Sequence, residues 1–113
     1  LCCVPALTAV CRQAFEETGI TNFIPPQEYN TPGSSDIGNV SHVCPTQYVE
    51  LTLDHDQPVL VHDESALQLV NSEAAYRKMD QTIEAFVMSV WKICQNQDLQ
   101  AEIKQEFHDL TKE

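Results

Sequence analysis

The chain has 113 residues, 42% of them apolar, which suits one globular domain or part of one and excludes a disordered tract. Seventeen acidic residues face six basic ones, and a net charge of −11 excludes nucleic acid and anionic membrane surfaces as partners. No apolar run reaches the ~20 residues of a membrane span.

The spacing predicts a first helix over residues 5–18. Leu7, Val10, Cys11, Ala14 and Phe15 recur on one face, Pro5 suits the first turn, and Gly19 suits the position just past the end. Residues 22–32 hold three prolines and read as an irregular connector.

A small polar loop follows, GSSDIGN. Gly33, Ser34 and Ser35 offer successive backbone N–H groups that can cradle a carboxylate. Asp36 is expected to brace the turn by hydrogen-bonding the loop's own backbone. Gly38 and Asn39 tolerate positive φ, which would steer the chain into a strand. There is no GxSxG and no organised base, so the serines are not read as nucleophiles.

Residues 40–44 and 48–53 are the strand candidates. In the second, Val49, Leu51 and Leu53 alternate with Glu50 and Thr52. His42 falls on the same side as Val40 and Cys44, where core-facing and substrate-facing readings are both open. A turn over 54–57 leads to a short apolar run, 58–61, that ends in His62. The acidic Asp63-Glu64-Ser65 comes next. Ends of strands in α/β sheets are where ligands bind, whereas Asp63 capping a helix is the structural alternative.

Two helices close the chain. Ser72 or Asn71 can cap the first. Tyr76, Met79, Ile83, Phe86, Val87, Val90, Trp91 and Cys94 then form a long apolar stripe. Residues 96–98 break it, with Asp98 as the expected cap of a last helix carrying Leu99, Ile103, Phe107 and Leu110. The five cysteines match no disulfide framework and include no CxxC. Cys11 and Cys94 fall on apolar helix faces and read as small buried hydrophobes in a reducing compartment. With no signal peptide legible at residues 1–6, a cytoplasmic placement is expected.

These elements predict an α/β fold with a mixed sheet and helices packed on it. The stripe from Tyr76 to Cys94 asks for more sheet than the chain supplies, which marks a fragment of a larger domain.

GSSDIGNVSHVCPT resembles the segment usually written G-S-T-D-M-G-N-V-S in the aminoacylase/carboxypeptidase-G family of co-catalytic zinc amidohydrolases. The nearest branch splits aminobenzoyl-glutamate or dipeptides such as β-alanyl-lysine. LVHDESALQLVNSEAAYRKM, DLQAEIKQEF and VPALTAVCRQAFEETG are similar to later and earlier pieces of the same family's catalytic domain. Ser35 stands where the family has Thr, Asp63 where Thr follows the ligand histidine, and Ala66-Leu67 where an aromatic is usual. The usual His-Pro pair is missing from residues 48–56.

The resemblance implies a partial three-layer sandwich. Residues 1–19 would be a re-entry helix, 33–61 the substrate loop and strands, and 62–113 a metal-ligand segment with two closing helices. The lid domain and the amino-terminal half of the catalytic domain would lie outside these residues. It further implies two zinc ions in the complete enzyme, with manganese or cobalt as alternatives. His62 would be the one metal ligand in this part. The Gly33, Ser34 and Ser35 loop would grip a dipeptide or N-acyl amino acid, and the full-length protein would pair as a homodimer. None of the family's other ligand motifs, a His-x-Asp, a Glu-Glu pair and a further acid, occurs here, so the segment alone is expected to be inactive. The rival expectation is a non-enzymatic acidic α/β module, or degenerate relative, that binds a protein partner through an apolar helix face.

Overall fold

The computed structural model describes residues 1–24, 35–53 and 62–112. Five helices follow in chain order: α1 (Pro5–Glu17), α2 (Ile37–Val40), α3 (Ser65–Val70), α4 (Glu73–Gln95) and α5 (Gln97–Thr111).

No strand occurs among the described residues, so the expected α/β class, mixed sheet and sandwich are overturned. The one ladder contact there is a single parallel bridge between Cys3 and Thr46. The physical reason is local. Residues expected as the strand 40–44 close on themselves instead. The N–H groups of Val40, Ser41 and Cys44 donate to the carbonyls of Asp36, Ile37 and Val40 at 3.2, 3.0 and 3.1 Å. An isolated strand leaves such groups unpaired, and one helical turn satisfies them. Residues 48–53 are extended but unpaired in any ladder. Their burial follows the alternation only in part: Val49 and Leu53 turn partly inward, but Leu51 is exposed along with Tyr48, Glu50 and Thr52.

Helix α1 is the hub, packed against both α4 and α5. Its first half joins Val4, Ala6 and Ile103 in one buried cluster flanked by Leu7, Ile93, Leu99 and Phe107. Its second half joins Ala14, Phe15 and Ala85 in another, flanked by Ile20, Phe23, Val49 and Met88. Phe15 meets Phe86 edge-on, with ring centroids 5.9 Å apart. Lys92 Nζ reaches Glu17 Oε1 at 2.9 Å across the α1–α4 seam.

The helix ends divide between expected and unexpected devices. Gly19 takes φ +93° just past α1, as its freedom from a Cβ allows. Ser72 Oγ accepts the Ala75 N–H at 3.2 Å and starts α4. The cap of α5 is Asn96, whose Oδ1 accepts the Leu99 N–H at 3.0 Å; Asp98 lies inside the first turn instead.

Helix α4 presents the opposite side from the one its composition suggests. Ala85 and Ser89 are the buried positions, because their small side chains let α1 approach closely. The apolar stripe faces out: Ile83, Val87, Val90 and Trp91 are 54–65% exposed. Cys94 is exposed too, against expectation, whereas Cys11 is buried as expected.

Candidate functional site

The segment 62–70 builds the site that the sequence singled out. His62 sits at the entry to α3 with φ 65°, a left-handed conformation that histidine adopts more readily than most residues. Asp63 then organises the helix start. Its Oδ1 accepts the Ser65 N–H at 2.8 Å, and its carbonyl accepts the Ala66 N–H at 3.0 Å. The Ser65 hydroxyl and N–H together hold the Asp63 carboxyl below its usual value. The N-cap position of α3 is Glu64, so Asp63 bonds the helix start from one residue further out, and this commits its carboxylate to the backbone.

His62 itself is exposed, and among the described residues its imidazole has no hydrogen-bond partner. It borders a shallow, open hollow with Asp63, Glu64, Ala66, Leu67 and Val70. The chemistry available there is one imidazole beside two carboxylates. Among the described residues no three His, Cys, Asp or Glu side chains are placed to hold a metal ion. One histidine leaves zinc mostly to water, so these residues do not by themselves fit a zinc pair.

The polar loop is partly outside the described residues, since Gly33 and Ser34 fall there. Ser35 is exposed, and its Oγ accepts the Ile37 N–H at 3.3 Å, so its hydroxyl braces the turn. The Asp36 carbonyl accepts the Asn39 N–H at 2.9 Å, and its side chain does not cap α2. Gly38 and Asn39 lie in α2 and need no positive φ. A Cβ at Gly38 would meet nothing within 4 Å, so neither conformation nor space demands glycine there. His42 lies on an exposed turn, its N–H donating to the Asn39 carbonyl at 3.1 Å, which removes the core-facing one of its two readings.

Two features escaped the sequence. Ser41 is fully buried and ties the turn to the start of the chain. Its Oγ accepts the Cys2 N–H at 2.9 Å and donates to the Gly38 carbonyl at 2.7 Å. Nothing in the pattern distinguishes it from the exposed serines. The second is a groove of about 430 Å³ between α1, the following residues 20–24 and the extended residues 47–52. Arg12 lies on its rim, stacked 4.3 Å from the Phe23 ring centroid. The stacking depends on the turn after Gly19, which brings Phe23 back against α1.

Comparison with family models, with curated proteins and with solved structures found no match. Among the described residues no helix is long and apolar enough to cross a membrane.

Proposed function

We propose that this chain works as part of a longer metal-dependent amidohydrolase, with His62 as a metal ligand. The reaction class is hydrolysis of an amide or peptide bond in a dipeptide or N-acyl amino acid by a metal-activated water. The observation that carries the reading is His62. It is exposed, without a competing hydrogen-bond partner among the described residues, and set at a helix entry whose geometry Asp63 fixes. The likeness of GSSDIGNVSHVCPT to the zinc amidohydrolases supports the same reading. So does the uncovered stripe of α4, which the remainder of a longer chain would bury. The remaining ligands would come from that remainder, because no three His, Cys, Asp or Glu side chains among the described residues are placed to hold a metal ion.

A second reading rests on the same stripe. Ile83, Val87, Val90 and Trp91 form an apolar face that suits a separate protein partner, with the chain acting as a helical, acidic binding module. An upstream sequence without a His-x-Asp and a Glu-Glu pair favours this second reading.

The testing experiment compares β-alanyl-lysine and N-acyl amino acid hydrolysis by the longer protein and by these 113 residues alone. Hydrolysis by the longer protein only is the expected result. Full activity from the short chain removes the need for outside ligands and contradicts the proposal.

A further inference from the structure

The groove beside α1 has walls of Phe15, Ile20, Phe23, Tyr48, Val49 and Leu51. Its volume of about 430 Å³ falls in the range of small-molecule sites, which are apolar with a few placed polar groups. The polar groups here are unusual for this chain. Only six basic residues occur against seventeen acidic ones, yet two of the six, Arg12 and Lys78, line this groove.

Both cations are held in place. Arg12 stacks on Phe23 at 4.3 Å, and its Nε donates to Glu16 Oε1 at 3.2 Å. Among the described residues that contact uses Nε alone, which leaves the two terminal amino groups for another acceptor. Lys78 is half-buried, and its Nζ donates to the Thr52 carbonyl at 2.8 Å. Two of its three N–H donors remain. Glu50 is the acidic side chain on the lining, and it is exposed.

We infer that this groove binds a small apolar carboxylate, its chain or ring among Phe15, Phe23 and Val49 and its carboxylate held by Arg12 and Lys78. An anionic head matches the two cations, and a forked guanidinium takes a carboxylate through paired hydrogen bonds. An apolar tail matches the walls. The inference stands apart from the hydrolase proposal, because neither His62 nor residues 33–35 line this groove.

The test titrates decanoate and decanol into the protein by calorimetry. Saturable one-to-one binding of decanoate, about tenfold tighter than decanol, is expected from the charge-assisted contacts. The double variant Arg12→Gln, Lys78→Gln is expected to lose that tenfold preference while binding decanol unchanged. Circular dichroism confirms that the variant remains helical, and the single variant Lys78→Gln serves if the double one does not fold. Absence of saturable decanoate binding overturns the inference, as does equal affinity for decanol or an unchanged preference in the variants.

Discussion

The carboxylate of Glu106, on α5, accepts the backbone N–H of Ala6 at 2.7 Å, 100 residues away in sequence. The N-cap position of α1 is Val4, which has no side chain able to cap the helix. A helix start leaves N–H groups without partners and carries a partial positive charge. Glu106 answers both needs from another helix, so the start of α1 and the end of the chain are stabilised together. Replacing Glu106 with Ala is expected to cost about 1 kcal/mol, the typical loss of a helix cap. Glu106→Gln is expected to retain part of this, since its oxygen still accepts. Urea unfolding of the three proteins checks the order.

The seam between α1 and α4 depends on small residues. Ala14 and Ala85 are fully buried, and Phe15 is 2% exposed. Ala85→Leu forces extra volume into this contact and is expected to cost about 1–3 kcal/mol. Phe15→Ala opens a cavity and is expected to cost about 3–5 kcal/mol. By contrast Val87→Ala, on the outward face, is expected to change stability by less than about 0.5 kcal/mol. A large loss at Val87 in the isolated chain contradicts the observed orientation of α4.

Much of the helical layout was legible because its signals are local. Pro5, Gly19 and Ser72 act on their own neighbours, and the structure uses each as its position suggests. The orientation of α4 was not legible. A hydrophobic stripe identifies a core face only when something is present to cover it, and here the small face of Ala85 and Ser89 turns inward. Residues 40–44 failed for a related reason. Alternation of Val40, His42 and Cys44 fits a strand, but a strand needs a partner, and Ser35 and Ser41 stabilise a turn without one. Of the site, a local backbone role for Asp63 at the start of a helix was legible. The pairing of Arg12 with Phe23 was not, because it depends on a fold-back that no spacing rule encodes.

Burial raises the Cys11 thiol above its ordinary value, with a hydrogen bond to Ser89 acting in the opposite direction. The folded state therefore holds the Cys11 proton more tightly than the unfolded chain. The resulting stability is fully present below the unfolded value and is lost as pH rises through the folded one. Unfolding free energy is expected to fall on the alkaline side of pH 9, and Cys11→Ala is expected to flatten that slope. In native protein, the exposed Cys44 and Cys94 are expected to react with a thiol reagent well before Cys11. Equal reactivity contradicts the burial of Cys11.

Trp91 is the single tryptophan and is 65% exposed. Its emission in the 113-residue chain is expected to resemble that of a solvated indole and to be readily quenched by acrylamide. In the longer protein, where the α4 stripe is proposed to be covered, the emission is expected to shift to the blue and quenching to fall. A second, upstream tryptophan is removed by substitution before the comparison. Identical spectra in the two proteins contradict coverage of this face by the remainder of the chain.

The most direct test of the central claim is the zinc content of the longer protein with and without His62→Ala, measured by elemental analysis after exhaustive dialysis. His42→Ala serves as the control, because His42 lies on an exposed turn that helix α2 supports. The account predicts bound zinc in the parent protein, its loss in part or whole in His62→Ala, and retention in His42→Ala. Zinc content unchanged by His62→Ala, in a variant with the parent's circular dichroism spectrum, contradicts the assignment of His62 as a metal ligand.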